Sequence, residues 1–289
     1  PDVRFTIVCK VEYIELFKKF SLGEDFISLP KNSILYFWDF QKKIHFKPDN
    51  YLLFTNSLRS DIEAFISGSP QRFGLKLPGR RRPLLTHSFD PQKIANLDCK
   101  NLHQSQLWEL MARRFGLHEE INKNSLKIPE IKRQKNKIGI ITGSSNTPEK
   151  RWSIENWVSF IERISKMEKK FVFYLYGTNQ DKEITSKICM KISSSRVRDL
   201  TGDTTLSELA DELASCALII GNDTGSIHLA NMVGTPVIAL FGPTNSTKTK
   251  PIFNSQIISI ESKNSKNMDS IEIADVVEAT SSIFCSLNK

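Results

Sequence analysis

The chain has 289 residues, 39% hydrophobic and 25% charged, a composition that excludes disordered, collagen-like and coiled-coil proteins. The length suits two units rather than one minimal core, and no apolar run approaches the ~20 residues that cross a bilayer. The net charge is +8, all of it from the first half: residues 1–136 hold 23 Lys and Arg against 15 Asp and Glu, and residues 137–289 hold 17 of each. A basic half serves solubility or meets an anionic partner. No helix-turn-helix or RNA-binding signature accompanies the charge, so nucleic acid is not an expected partner. Cys9, Cys99, Cys189, Cys216 and Cys285 are scattered singly, which argues against a disulfide framework or a CxxC metal site. A reducing, cytoplasmic setting is expected, and no signal-peptide pattern follows Pro1.

In chain order, Val3–Cys9, Ser33–Phe37 and Tyr51–Thr55 read as strands, and Leu58–Ile66 and Gln106–Phe115 as helices. Residues 128–136 are polar and contain Pro129. They read as a linker, with an expected division into residues 1–134 and 135–289. Lys137–Thr142 reads as a buried strand that breaks at Gly143. Ser153 starts a helix that runs to Met167 with Trp157, Phe160, Ile161 and Ile164 on one face. Phe171–Tyr176 is the next strand and Asp181–Ile192 the next helix. Leu206–Cys216 is a helix with Thr205 as N-cap. Ala217–Gly221 is a strand, Gly225–Val233 a short helix, Pro236–Phe241 a strand and Ile271–Phe284 a closing helix. Strands alternating with helices predict an α/β fold with parallel sheets, two Rossmann-like domains in all.

Three loops carry the chemistry. Gly221-Asn222-Asp223-Thr224-Gly225-Ser226-Ile227-His228 follows a strand and opens a helix. A helix N-terminus at the carboxyl edge of a parallel sheet offers free N–H groups to an anion, and Gly225 lets the backbone approach a phosphate. The plainer reading is a capped helix, with Asp223 or Thr224 as the cap. Phe241-Gly242-Pro243-Thr244-Asn245 falls on the same rim, where the Gly242 backbone and Thr244 could meet the same ligand. Gly143 to Trp152 supplies small hydroxyls and the Lys150-Arg151 pair, which suit phosphate. There is no P-loop and no G-x-G-x-x-G, which disfavours NTP hydrolysis and nicotinamide chemistry. The rim also lacks a DxD-like pair, so metal-dependent sugar transfer is not suggested.

These residues resemble glycosyltransferase family 9. GSSNTPEKRW, then LYGTNQD, then GNDTGSIHLANMVGTPVIALFGPT resemble its nucleotide-sugar domain, and LLFTNSLRSDIEAFISGSPQRFG with Pro83–His87 resembles its acceptor domain. The family comprises bacterial ADP-heptose:lipopolysaccharide heptosyltransferases, and N-T-P-E-K-R-W is most similar to the heptosyltransferase II branch. The resemblance implies the GT-B fold, two Rossmann-like domains facing across a cleft, with the acceptor on the first and the nucleotide sugar on the second. It implies inverting, metal-independent transfer of heptose from ADP-heptose to the inner core of lipopolysaccharide or a lipid A precursor. No cofactor is implied. The expected setting is cytoplasmic, peripheral to an anionic inner membrane.

Residue roles follow from the same resemblance. Lys150 contacts the diphosphate and stabilises the leaving group; Ser145 and Asn146 line the phosphate side; Asp181 reaches the ribose or adenine. Asp223 faces the sugar, and Thr224 and Gly225 the phosphates. His228 either supports the phosphate or sugar or is structural. On the acceptor side stand Asn56, Ser57 and Arg59, for which helix capping by Asn56 or Ser57 is the plainer reading. The run Arg80, Arg81 and Arg82 is a solvated loop or faces lipid phosphates. The family's general base lies in an opening βα unit with a Gly-Asp loop, and Pro1 aligns just after that unit. The base is therefore expected upstream of Pro1, and the absent strand is expected to leave a slot and a raw edge in the first sheet. The alternative reading is a truncated or degenerate homologue that holds a nucleotide sugar without turnover. A GT-B-shaped epimerase is a third.

Overall fold

In a computed structural model, the apolar runs become strands of parallel sheets and the amphipathic stretches become the helices between them. The structure describes residues 4–94, 101–117, 130–144, 147–192, 195–253, 255–264 and 267–287. Ser145, Asn146, Cys99, Val3 and the first two residues of the expected linker lie outside the described residues. The chain divides into two compact units, Pro1–Asn122 and Lys123–Lys289.

In the first unit the order is β1 (Thr6–Cys9), α1 (Val11–Lys19), β2 (Asp25–Ser28), α2 (Tyr36–Lys43), β3 (Asn50–Leu53), α3 (Leu58–Ile66), β4 (Gln71–Leu75), β5 (His87–Phe89) and α4 (Gln104–Arg114). β1 pairs in parallel with β2, and β3, β4 and β5 form a second parallel sheet in that order. Among the described residues, β1 and β3 each pair along one edge only. Leu75, Phe89 and Met111 bury together between the second sheet and α4. Ser57 caps α3, its hydroxyl accepting from Ser60 N at 3.2 Å.

The expected strand at Ser33–Phe37 is not one. Residues 32–35 form a bend and turn, and α2 begins at Tyr36. Tyr36 and Phe40, four residues apart, bury on one face of that helix, and Lys42 and Lys43 favour its C-terminal end. A run of four apolar residues after a serine is too short for periodicity to separate helix from strand. The helix α1 and the strands β2, β4 and β5 also went unread, because each is short and half exposed.

In the second unit the order is β6 (Gln134–Ile141), α5 (Ile154–Met167), β7 (Val172–Tyr176), α6 (Lys182–Lys191), β8 (Val197–Asp199), α7 (Leu206–Ala214), β9 (Cys216–Asn222), α8 (Gly225–Met232), β10 (Val237–Phe241), α9 (Ser246–Thr249), β11 (Ile257–Glu261) and α10 (Ile273–Leu287). All six strands are parallel, in the order β11-β10-β9-β6-β7-β8. The chain lays β7 and β8 on one side of β6, then returns to lay β9, β10 and β11 on the other. This is the doubly wound order, and its switch point lies between β6 and β9. β6 takes in Gln134, Lys135 and Asn136 of the expected linker, with Gln134 opposite Cys216.

Local sequence explains the helices. Ser153 caps α5 by accepting from Asn156 N at 3.2 Å, and Trp157, Phe160, Ile161 and Ile164 pack onto Ile138, Ile140 and Phe173 of the sheet. Thr205 and Glu208 form a reciprocal capping box at α7. Burial of each such large apolar side chain stabilises by roughly 1.5–3 kcal/mol. Lys137, buried at the start of the core, donates to Glu212 at 2.5 Å, and the Tyr176 hydroxyl donates to the same carboxylate at 2.9 Å. Burial pushes the neighbouring Cys216 thiol up to about 12, so it stays protonated and inert. The described cysteines are all free.

In the first unit, Arg82 is not on the surface as expected. Its guanidinium is 3% exposed against an Asp61 carboxylate 2% exposed, with Nε 3.1 Å from Asp61 Oδ1. Nη1 donates to Leu75 O at 2.7 Å and Asn56 Oδ1 at 3.0 Å. The desolvated pair sets the loop after β3. Arg82→Ala leaves Asp61 buried and uncompensated, and the expected loss of unfolding free energy is ~3–5 kcal/mol. Urea denaturation checks this; a midpoint equal to the parent's would mean that the pair is solvated.

Candidate functional site

The switch point places the loops after β6 and β9 side by side, and β10 adds a third. Asn222, the last residue of β9, is wholly buried and ties these loops together. Its Nδ2 donates to Thr142 O at 2.7 Å, at the end of β6, and its Oδ1 accepts from Trp152 N at 3.3 Å. The Trp152 indole in turn donates to Ile271 O at 3.2 Å and packs edge-on against Trp157. Trp152 therefore anchors the segment that carries Lys150 and Arg151. Sequence reasoning missed Asn222 as a positioning residue. Its only signal was an amide at the end of a buried strand, where a polar side chain must find partners.

Lys150 closes a 3-10 turn, Pro148–Lys150. Its ammonium donates to Asp223 Oδ2 at 3.0 Å, and the Thr244 hydroxyl donates to the same oxygen at 2.8 Å. One residue from each of the three loops thus meets at one carboxylate oxygen. The Asp223 side chain is 8% exposed and that of Lys150 is 23% exposed. A lysine has three N–H donors, so Lys150 can hold Asp223 and still reach an anion. Arg151 Nη2 donates to Ser144 O at 3.0 Å.

Thr224 stands at the N-cap of α8 with extended backbone, φ −144° and ψ 166°, but its side chain makes no capping bond. Its hydroxyl is buried without a hydrogen-bond partner among the described residues. The simple capping explanation of this residue therefore fails, and a buried polar group without a partner calls for one. Gly225 is exposed, with open space where a Cβ would stand. The first N–H groups of a helix lack intrahelical acceptors and carry the positive end of the dipole. An ammonium, a hydroxyl and a helix N-terminus together suit a phosphate or diphosphate.

The other expected donor residues sit nearby in varied roles. Asp181 is 3% exposed; its Oδ2 accepts from the Thr178 amide and hydroxyl at 2.9 and 2.8 Å and closes a capping box. Its Oδ1 has no partner among the described residues. A Cβ on Gly143 would run into this carboxylate, so the loop after β6 needs glycine there. Gly242 is glycine for a similar reason, because a Cβ would strike Met268. His228 is half-buried on the first turn of α8.

On the first unit, Asn56 accepts from Arg82 through its side chain and from Arg80 Nη1 through its backbone oxygen at 2.5 Å. Ser57 is a helix cap, as its plainer reading had it. Arg59 is exposed, donates to Asn32 Oδ1 at 2.8 Å and lies over the Tyr36 ring at 4.9 Å. Arg81 is exposed. Among the described residues no group of three or more His, Cys, Asp or Glu side chains could hold a metal ion, and no helix is long and apolar enough to cross a membrane.

The fold has solved counterparts. The structure of E. coli ADP-heptose lps heptosyltransferase II matches with a TM-score of 0.77 at 18% identity, over 100% of this chain and 92% of that one. The protein is therefore a two-domain α/β protein of the GT-B kind, with parallel sheets and flanking helices. Glycosyltransferase family 9 (heptosyltransferase) matches residues 42–277, and the chain belongs to that family. Lipooligosaccharide heptosyltransferase 2 of Haemophilus ducreyi is 31% identical over 126 residues, 42% of this chain and 36% of that protein. Lipopolysaccharide heptosyltransferase 2 of Escherichia coli is 24% identical over 223 residues, 71% of this chain and 62% of that protein. The matched part spans less than two thirds of each relative's length.

Two substitutions test the site. Thr224→Val keeps the shape and removes the hydroxyl. The ligand-free melting temperature should not fall, whereas a true N-cap would lose ~0.5–2 kcal/mol. Affinity for ADP should drop by ~0.5–1.5 kcal/mol if the hydroxyl meets phosphate. Lys150→Ala should cost ~1.5–3 kcal/mol of ADP affinity, about ten- to a hundredfold, with little change for adenosine. Titration calorimetry reads both, and equal ADP affinity in mutant and parent removes Lys150 from the site.

Proposed function

We propose that the protein is a heptosyltransferase of the heptosyltransferase II type. It takes heptose from ADP-heptose and places it on the inner core of lipopolysaccharide or a lipid A precursor, with inversion and without a metal. The second unit holds the nucleotide sugar, and the first, more basic, unit meets the anionic acceptor. The protein works in the cytoplasm, at the inner-membrane surface. The supporting observation is the meeting of Lys150, Asp223 and Thr244 at the β6/β9 switch point, beside a Thr224 hydroxyl that has no partner among the described residues.

In this reading the diphosphate lies on the N-terminus of α8, with Lys150 and the Thr224 hydroxyl as donors. Asp223, held by Lys150 and Thr244, faces the sugar. The acceptor hydroxyl attacks the anomeric carbon from the face opposite the diphosphate. The bond from that carbon to the phosphate oxygen breaks, ADP leaves with the electron pair, and the hydroxyl proton passes to a base. Lys150 and the helix N-terminus stabilise the charge that grows on the leaving oxygen. Fixed donors aimed at developing charge are a large source of rate, and they need no resident cation here. Asp181, beside the loop that lines the site, reads the ribose or adenine through its open Oδ1.

The test is a titration of the 289-residue chain with ADP, UDP, GDP and ADP-heptose. ADP and ADP-heptose should bind at least about tenfold more tightly than UDP or GDP, a difference of ~1.4 kcal/mol. Mass spectrometry of a heptose-deficient lipopolysaccharide incubated with ADP-heptose then reads transfer. Absence of nucleoside diphosphate binding overturns the donor site, and preference for UDP overturns the heptose donor.

A further inference from the structure

Three apolar side chains point to solvent here: Ile34 and Leu35 in the turn before α2, and Trp38 on its outer face. Ile34 is fully exposed, and Leu35 and Trp38 are each 54% exposed. On a helix, positions four apart share a face, so Trp38 and Lys42 line one side of α2, and Ile34 and Leu35 precede it in the exposed turn. Tyr36 and Phe40 face the other way into the core. The outward residues are therefore not spare core.

Positive charge surrounds the apolar tip. Residues 31–47 contain Lys31, Lys42, Lys43 and Lys47 against one acid, Asp39. Asp39 stands three residues before Lys42 and so borders the same face; it is the one acid against these four lysines. Lys42 Nζ sits 3.2 Å from the Trp38 ring centroid. Beside the tip, Asn32, Ser33, Ile34, Tyr36, Phe37 and Arg59 line a shallow hollow of about 170 Å³, where the Arg59 guanidinium lies over Tyr36. An indole and a basic amine on one surface suit the boundary between headgroups and acyl chains. A guanidinium beside a small hollow that Asn32 and Ser33 also line suits a headgroup phosphate.

We propose that this surface docks the protein on an anionic lipid bilayer. Ile34, Leu35 and Trp38 enter the acyl boundary, while Lys31, Lys42 and Arg59 meet headgroup phosphates. The attachment site is thus α2 and its leading turn. Within the Arg80–Arg82 run, Arg82 is buried and cannot supply it. The proposal deepens the reading of a membrane-borne acceptor. It is separable from that reading, since the ADP titration needs no vesicles.

Vesicles containing phosphatidylglycerol, and vesicles of phosphatidylcholine alone, are sedimented with the chain at low and high salt. The chain should bind the anionic vesicles, with loss at high salt because each basic residue near the surface is screened. Tryptophan emission should shift to the blue on binding, and Trp38→Phe should abolish the shift. Ile34→Asp combined with Trp38→Ala should weaken binding about tenfold or more. Lys42→Glu should weaken it more than Lys93→Glu, which changes net charge equally on another surface. Circular dichroism and ADP affinity of the variants check that the fold and the donor site persist. Equal binding to both vesicle types, or indifference to Ile34 and Trp38, overturns the proposal. So does self-association through Trp38 with no vesicle binding, which would make the surface an interface between protein copies.

Discussion

Parallel pairing of β6 with β9 is the constraint on which the rest of the second unit depends. It turns two stretches eighty residues apart into neighbours and leaves their outgoing loops open at one rim. The pairing brings its own problem: backbone carbonyls at the end of β6 and the amide of Trp152 are buried and need partners. Asn222 supplies them from a single side chain, donating to the start of the connection between β6 and α5 and accepting from its end. Once that amide is in place, the path of residues 148–152 is set, and with it the position of the Lys150 ammonium. Asp223 follows directly in sequence, so the residue that organises the loops and the residue that receives the charge are adjacent. Site geometry here is a consequence of satisfying buried backbone groups.

The rim then holds polar groups that the second unit's own described residues leave incomplete. Lys150, Asp223 and Thr244 satisfy one another, whereas the Thr224 hydroxyl and Asp181 Oδ1 are buried without partners. A buried unpaired polar atom costs about 1–3 kcal/mol, a cost that a stable core removes by substitution unless the group meets something. The Thr224 hydroxyl stands at the N-cap of α8 and can donate to an acceptor there, whereas Asp181 Oδ1 can only accept. Glycine at 143 and 242 belongs to the same arrangement, since a side chain at either would push into Asp181 or Met268.

The first unit is organised by a different device. Arg82 and Asp61, both nearly inaccessible, reach across from the loop after β4 to α3 and fix the loop after β3 through Asn56. Three consecutive arginines look equivalent as a sequence, yet each has its own fate: Arg80 holds a backbone oxygen, Arg81 is exposed and Arg82 is buried. Exposure of a basic run depends on which member finds a buried carboxylate, which spacing does not reveal.

Much of the second unit was legible, for physical reasons tied to particular residues. The helix over 154–167 was readable because Trp157, Phe160, Ile161 and Ile164 repeat at the helical period behind a serine cap, and α7 because Thr205 and Glu208 form a local box. The buried strands ending at Ile141, Tyr176, Asn222 and Phe241 are continuous apolar runs stopped by glycine or a polar residue. The three phosphate-type loops were visible for the same reason, since their residues follow those strands directly. Short, half-exposed elements were not legible: Ser33–Phe37 read as a strand, because four consecutive apolar residues carry no period, and which of them face the core depends on α3. Sequence by itself therefore determined the alternation of strands and helices, the family and the loops that carry polar chemistry, because these rest on local pattern. Only tertiary structure decided that Lys150, Asp223 and Thr244 share one oxygen, that Asn222 staples the loops, that Arg82 is buried and that Ile34 and Trp38 face solvent. Each of those depends on a partner far away in the chain, and the sequence does not state which partner it is.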